Sequence, residues 1–259
     1  MARQKSILKF EGRIGDLSFF KSQGGFQVRA KGGVSADRIR TDPRYARTRE
    51  NAAEFGRAGA SAKLLRTAIR SLIINAHDKT LVGRLTREMM RVVKSDVTSL
   101  RGERHVNAGE LGLMNGFEFN SGALLNATFL SPYEVSFERA TGNAVISIPG
   151  FVAGKMISAP TGATHFRLTM AVVALNFPEN RYNTQITQGA SLPLSNAALD
   201  AIELTVQLPG TDNQPVMVML GIEFSQAVNG TEYSIQNGAH NALAVVLVDA
   251  QPEDVLPGV

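Results

Sequence analysis

The second half of this sequence consists of short apolar runs separated by turn signals, a pattern that restricts it to β-rich architectures. The strands predicted there cover residues 124–130, 133–139, 144–148, 165–177, 201–208, 216–225, 232–236 and 242–248. Between two of them, Asn229-Gly230 is a strong hairpin signal, because both residues tolerate positive φ. Short strands with such spacing predict an antiparallel β-sandwich of the jelly-roll or immunoglobulin-like kind.

The longest apolar run, residues 166–177, does not alternate between apolar and polar positions. A strand with this composition is buried on both faces, because successive side chains point to opposite sides of a sheet. Periodicity alone does not exclude a helix for this run, which is the alternative interpretation. The favoured interpretation is a strand that lies between two other layers.

Residues 6–30 predict a β-hairpin or small meander, in which Gly12, Gly15 and the pair Gly24-Gly25 separate the strands. A basic linker follows it, so the first predicted segment is 1–40. A hairpin rich in aromatic residues can add strands to the exposed sheet of a neighbouring molecule. The residues predicted to form this assembly hairpin are Phe10, Phe19, Phe20, Phe26 and Val28.

Residues 41–105 predict a helical hairpin. Thr41-Asp42-Pro43 has a cap residue followed by proline, which favours a helix start, and Asp78 is the predicted cap of the second helix. Apolar residues that recur at helical spacing are Phe55, Leu65, Ala68, Ile69, Leu72 and Ile73 in the first helix, and Leu81, Val82, Leu85, Met89, Val92, Val93 and Val97 in the second. These residues are expected to form the buried faces.

The predicted fold class is therefore α+β, with four segments along the chain. The N-terminal β-hairpin and linker (1–40) precede the helical hairpin (41–105). An antiparallel β-sandwich follows at 115–250, after a glycine-containing junction at 102–116. The tail 251–259 contains Pro252 and Pro257 and is expected to be an extended arm or disordered.

Charge is distributed unevenly along the 259 residues. Residues 1–110 contain 23 Lys and Arg and 11 Asp and Glu, a net charge of +12. Residues 111–259 contain 4 Lys and Arg and 12 Asp and Glu, a net charge of −8. Such asymmetry is typical of proteins that bind polyanions. It also permits head-to-tail association, in which the basic end of one copy meets the acidic end of the next.

The basic residues of the helical region form rows at steps of three and four. The rows are Arg40, Arg44 and Arg47; Lys63, Arg66 and Arg70; and Arg84, Arg87, Arg91 and Lys94. They predict a basic interaction surface for phosphates or for an acidic protein face. The alternative is an ordinary solvated helix face that is partly balanced by glutamates. No helix-turn-helix or aromatic RNA-binding signature accompanies the rows.

The sequence offers no recognisable catalytic motif. Cysteine is absent, and the four histidines lack the spacing of metal ligands. The segment 150–155 resembles a phosphate-binding loop, but it is one residue short and Met156 replaces the required Ser or Thr. We therefore predict no enzyme activity, no cofactor and no metal site.

Few cationic residues are available to protect the edges of the predicted sandwich. Residues 111–259 contain only Arg139, Lys155, Arg167 and Arg181. Isolated soluble β domains commonly place lysines on edge strands, which prevents edge-to-edge pairing. Neighbouring subunits that cover the edges would explain the shortage; the alternative is that acidic residues, prolines and loops protect them.

Three N-terminal stretches, residues 12–20, 28–34 and 47–58, carry a family resemblance together with residues 221–230. They resemble a group of Bacteroidota proteins for which no activity is known. The resemblance covers most of the chain and implies a bacterial source, or a phage or mobile element of such a host. It implies a shared fold and no particular chemistry.

These observations predict a non-enzymatic structural protein that assembles into a homo-oligomer through heterologous contacts, as a filament, shell or phage-like particle component. The alternative is a protein that binds nucleic acid or another polyanion with its basic half. The sequence contains no signal-peptide-like run and no apolar stretch of about 20 residues. We therefore expect no membrane contact and a cytoplasmic location, or a particle assembled in the cytoplasm.

Overall fold

The structure, a computed structural model, describes residues 2–5, 7–30, 32–210, 214–235 and 238–250. It combines helices with antiparallel sheets, which confirms the mixed fold class. The chain divides into two compact units, Met1–Arg49 and Glu50–Val259, here called the N-terminal unit and the C-terminal unit. The predicted tail 251–259 lies outside the described residues.

The helices are mostly short and precede most of the strands. They are α1 (Ala36–Thr41), α2 (Ala46–Ala68), α3 (Arg70–Ile73), α4 (Leu81–Ser95), α5 (Leu125–Thr128) and α6 (Ala153–Met156). Turns of 3-10 helix cover Pro43–Tyr45, Val106–Ala108 and Leu111–Met114. Asp42 accepts the N–H of Arg44 at the start of the first such turn, so the predicted start signal opens this turn just before α2.

Within the described ranges the strands form four separate sheets. They are β1 (Ala2–Arg3), β2 (Gly12–Ile14), β3 (Leu17–Ser22), β4 (Gly25–Ala30), β5 (Glu134–Glu138), β6 (Asn143–Ile148), β7 (Phe151–Val152), β8 (His165–Asn176), β9 (Arg181–Gln188), β10 (Leu192–Pro193), β11 (Ala198–Leu199), β12 (Ile202–Gln207), β13 (Val216–Val228), β14 (Thr231–Ser234) and β15 (Ala242–Asp249). The N-terminal unit contains one sheet, in the order β1-β4-β3-β2. Strands β3 and β4 form the predicted hairpin, but its connection is Gln23-Gly24, because Gly25 already pairs with Ser22.

The centre of the C-terminal unit is the antiparallel pair β8 and β13. Strands β9 and β10 pair with the outer edge of β8, and β14 and β15 pair with the outer edge of β13. Alternate residues of β8 enter two different apolar clusters, for example Val172 in one and Val173 in the other. This arrangement confirms the strand that was predicted to be buried on both faces.

Helices cover one face of this central sheet. Leu65 of α2 and Leu85 and Met89 of α4 are fully buried in a cluster that also contains Val173 and Met219. The helical segment and the β region therefore share a core. The junction 102–116 leads back to the sheet, where the N–H of Gly116 donates to the carbonyl of Val245 at 2.8 Å.

The other face of the central sheet packs against the three-stranded sheet β12-β6-β5. Ile146 of β6 and Leu204 of β12 are buried there with Val172 and Leu220. Both faces of β8 and β13 are thus removed from water. Each apolar side chain buried in this way contributes about 1.5–3 kcal/mol relative to its exposed state.

Two local predictions differ from the structure. Residues 124–130, predicted as a strand, contain the helical turn α5. The carboxylate of Glu118 accepts the N–H of Leu125 at 2.9 Å, which satisfies an amide at the start of that turn. Strand β9 was missed, because its sequence is polar and its side chains are mostly exposed.

A close approach between α4 and the following loop gives a stability prediction. A Cβ atom at Gly109 would lie 2.1 Å from the carbonyl oxygen of Val92, whereas one at Gly112 would meet nothing within 4 Å. We expect Gly109→Ala to lower the free energy of unfolding by about 1–3 kcal/mol, because the backbone must shift. Gly112→Ala is the matched control and should change it little. Urea unfolding checks this prediction, and equal effects of the two substitutions would contradict it.

Candidate functional site

A groove of about 620 Å³ opens between α2 and α4. Its apolar floor contains Phe55 and Val82, whose side chains are 60% and 52% exposed. Gly59 and Gly83 also line it, and a Cβ atom at either position would meet nothing within 4 Å. Glycine inside a helix costs about 1 kcal/mol relative to alanine. The groove is open at these points because two helical positions lack a side chain.

The rim of this groove is cationic. Arg66, Arg87, Arg91 and Lys94 line it, and the acid paired with them is Glu88. Glu88 accepts from Arg91 Nη1 at 2.6 Å and from Arg87 Nε at 3.2 Å. These five side chains together carry a net charge of +3 at neutral pH. We call the groove with its apolar floor and this rim the cationic groove.

Two features of the rim favour an anionic ligand. The Nε atom of Arg66 is buried and has no hydrogen-bond partner in the described part of the chain. Lys94 also borders an adjoining depression of about 720 Å³, which Arg101 and Arg104 line. Glu54 also lines this depression and Glu50 pairs with Arg101, so positive charge is partly balanced there, and negative charge is favoured chiefly at the rim of the groove.

The groove lies on the outer side of the helix layer. Leu85, Met89 and Val92 of α4 are buried in the core cluster shared with the central sheet. Gly83, Arg87 and Lys94 line the groove instead. At 100° per residue these two sets lie on opposite sides of one helix. A ligand in the groove would therefore not contact the central sheet.

Arg84 does not belong to this groove, although the sequence pattern places it in the same row. Its guanidinium pairs with Asp78 and donates to the carbonyl oxygens of Glu118 at 2.6 Å and Phe119 at 3.1 Å. The same group lies 5.4 Å from the ring centroid of Phe117. Arg84 thus fixes the start of α4 against the segment that enters the β region.

The other predicted cations are distributed over several surfaces. Lys63 and Arg70 are exposed on the helical segment without lining the groove, unlike Arg66 of the same row. Arg40, Arg44 and Arg47 are exposed in the N-terminal unit, where Arg40 donates to Asp37 at 2.6 Å. The three rows therefore do not form one continuous stripe within the C-terminal unit.

The apolar floor was missed, because apolar residues at helical spacing were assigned to the core. Phe55 and Val82 had been expected on buried faces, and the structure corrects this for both. Val97, expected on the same face, is 91% exposed beyond the end of α4. The sequence signal for the floor is the presence of Gly59 and Gly83 within helices, where the missing side chains leave space on the helix surface.

A second candidate surface lies on the sheet of the N-terminal unit. Directly opposed residues of antiparallel strands lie on the same face. Phe19 is opposed to Val28, Lys21 to Phe26, and Leu17 to both Ala30 and Ile14. We call the surface formed by Ile14, Leu17, Phe19, Phe26 and Val28 the apolar sheet face.

The described residues of the N-terminal unit include no buried side chain. Ile14 and Leu17 on the apolar sheet face are 61% and 42% exposed. Phe10 packs edge-on against Phe19, with ring centroids 5.8 Å apart. Phe20, also predicted for the assembly hairpin, is on the opposite face, where the guanidinium of Arg29 lies 5.5 Å from its ring. The described residues of this unit therefore form an apolar surface without a buried interior.

The structure also shows where the sequence that resembles a phosphate-binding loop lies. Residues 150–155 form β7 and the start of α6. The N–H of Gly154 already donates to the carbonyl of Ser195 at 2.9 Å, so it is not available to a phosphate group. Within the described ranges, no three His, Asp or Glu side chains are grouped so that they could hold a metal ion.

None of the helices in the described residues has the length and apolar character needed to cross a membrane. Comparison of the chain with protein-family models, with curated proteins and with solved structures found no match. The candidate surfaces therefore rest on their own geometry.

Glu118 gives a pH prediction for the region around Arg84. Burial raises the pKa of Glu118 to about 7 from 4.5, although the N–H of Leu125 and the charge of Arg84 oppose the shift. The folded state binds this proton more tightly than the unfolded state. The stability contribution is therefore greatest below pH 4.5 and is lost as the pH rises through 7.

We expect Glu118→Gln to remove this pH dependence, because an amide does not ionise. Urea unfolding at pH 5 and pH 8 measures this dependence. The difference in the free energy of unfolding, variant minus wild type, should be more positive at pH 8 than at pH 5. Glu134→Gln, at an exposed position on β5, is the control and should follow the wild type at both pH values. A parallel response of wild type and Glu118→Gln would contradict the prediction.

Proposed function

We propose that this chain is a non-enzymatic structural protein that assembles into a homo-oligomer by covering the apolar sheet face of the N-terminal unit. The observation that carries the proposal is the absence of buried side chains among the described residues of that unit. A small sheet needs a packed hydrophobic face for stability. Covering the face removes apolar surface from water, at about 25 cal/mol per Å².

The opposite net charges of the two units support the C-terminal unit of a neighbouring copy as the surface that covers the apolar sheet face. The N-terminal unit contains 12 Lys and Arg against 4 Asp and Glu, a net charge of +8. The C-terminal unit contains 15 against 19, a net charge of −4. Contact between unlike units of successive copies is heterologous, and heterologous contacts generate rings or open filaments. The assembly would be a filament, shell or phage-like particle component formed in the cytoplasm of a bacterial host.

A β-sandwich within the C-terminal unit would suit this role. The central sheet and the sheet β12-β6-β5 bury apolar residues in one common cluster. Two antiparallel sheets around a common core are the basic arrangement of a sandwich. Such a body offers a rigid surface for repeated contacts, while its helix layer leaves a second outer face for further partners.

The assembly test is a single charge introduced on either face of β3. Leu17→Asp places a carboxylate on the apolar sheet face, and Ser18→Asp places the same charge on the opposite face of the same strand. We expect wild type and Ser18→Asp to form particles larger than a monomer in light scattering and electron microscopy. Leu17→Asp should be monomeric, because covering the face would bury an unpaired carboxylate.

Circular dichroism spectra of both variants should match that of the wild type. This control establishes that neither substitution unfolds the chain. A wild-type protein that stays monomeric at high concentration and moderate salt would overturn the proposed function. Assembly by Leu17→Asp equal to that of Ser18→Asp would exclude the apolar sheet face as the contact.

A second candidate function is binding of nucleic acid or another polyanion by the N-terminal unit. The observation that favours it is the exposure of Arg40, Arg44 and Arg47 in a unit of net charge +8. Phosphate contacts release counterions, so the logarithm of affinity falls linearly with the logarithm of salt concentration.

The matching experiment measures binding of a DNA or RNA duplex over a salt series. Changing Arg40, Arg44 and Arg47 together to Ala should reduce the salt slope by about 1 for each phosphate contact that is lost. Arg181→Ala removes an exposed arginine from β9 of the other unit and is the control. Failure of the wild type to retain nucleic acid at low salt would eliminate this function.

A further inference from the structure

The cationic groove combines two chemistries that restrict its ligand. Its floor presents exposed Phe55 and Val82 together with Met90, and its rim carries a net charge of +3. A nucleic-acid backbone would use the rim but would leave the apolar floor against water. A ligand that uses both is an anion with adjacent apolar groups, such as an acidic peptide with aliphatic side chains.

The chain itself contains a segment with this chemistry. In this segment Glu253-Asp254 is followed directly by Val255-Leu256. It lies within the nine residues 251–259 that follow the last described residue, Ala250. Two carboxylates match the cationic rim, and two aliphatic side chains match the floor. Pro252 and Pro257 flank the segment, and proline limits the conformations that binding must restrict. The groove volume is within the range of sites that hold small ligands or short peptide segments.

Ala250, the last described residue, directly follows β15 of the central sheet. Arg139, next to β5, donates to the carbonyl oxygen of Ala250, so the chain leaves the described part beside the three-stranded sheet. The groove lies on the side of the helix layer that faces away from the central sheet. The groove and Ala250 are thus on opposite sides of the helix layer of one chain, which favours the groove of a neighbouring copy as the binding site.

We propose that the cationic groove of one copy binds the acidic and apolar segment 253–256 of a second copy. This inference rests on the proposed self-assembly and adds a second contact to it, distinct from the apolar sheet face. It gives the basic helix surface a protein partner of defined sequence. The two contacts use opposite ends of the chain, so each copy can be joined to two neighbours.

The test is a fluorescence anisotropy titration with a labelled synthetic peptide of residues 250–259. The protein is the full chain carrying Leu17→Asp, which removes assembly through the sheet, and Glu253→Lys with Asp254→Lys, which stops its own tail from competing. We expect saturable binding. Because this protein does not depend on the apolar sheet face, the titration can fail or succeed independently of the proposed function.

Two groove variants and one control locate the site. Arg91→Glu with Lys94→Glu should weaken peptide binding about tenfold or more, since two ion pairs become repulsive. Gly83→Leu should also weaken it, because the new side chain occupies open space in the floor. Lys63→Glu with Arg70→Glu makes the same charge change on exposed residues outside the groove and should have little effect. Unchanged unfolding curves confirm that the variants are folded.

Other outcomes would overturn the inference. Absence of peptide binding, or equal loss in the groove and control variants, would remove the groove as the site. If a peptide with Val255→Ser and Leu256→Ser bound as tightly as the native peptide, charge attraction alone would explain binding. If the protein bound a DNA duplex more tightly than the peptide, the surface would be assigned to nucleic acid. Light scattering of the full chain with only Glu253→Lys and Asp254→Lys should show smaller particles than the wild type. Unchanged particle size would exclude a second copy as the source of the segment.

Discussion

The strands β8 and β13 are apolar on both faces, and most of the C-terminal unit follows from that constraint. Because neither face tolerates water, the pair needs a layer on each side. Helices α2 and α4 supply one layer, through Leu65, Leu85 and Met89. The sheet β12-β6-β5 supplies the other. Strand β9 pairs with the edge of β8 and its side chains are mostly exposed, which explains why polar residues suffice there.

The parts of this fold that sequence predicts well are those whose signal is local. The run 166–177 contains six consecutive apolar residues at 170–175, and helix α4 repeats its apolar residues at steps of three and four, so both are visible in a short window. The turn α5 is different, because the carboxylate that satisfies its first amide belongs to Glu118, seven residues earlier. Strand β9 is stabilised by pairing with β8, which no local pattern in its polar sequence reveals.

The candidate site shows the same limit. Sequence spacing placed Arg87, Arg91 and Lys94 on one side of α4, and all three line the groove. It also included Arg84, whose role depends on Asp78 and on two carbonyl oxygens far along the chain. The apolar floor was not predicted, because an exposed Phe55 and a core phenylalanine have the same sequence pattern. Only the neighbouring layers decide which side of a helix is covered.

The two units resolve the problem of apolar surface in different ways. In the C-terminal unit both faces of the central pair β8 and β13 are covered over most of their length by other parts of the same chain. In the N-terminal unit β3 and β4 carry an apolar face, yet none of its described residues is buried. A sheet of this size gains little stability from hydrogen bonds alone. Its apolar residues have a physical reason to be present if another surface covers them, and under the proposed assembly a neighbouring copy would supply that surface.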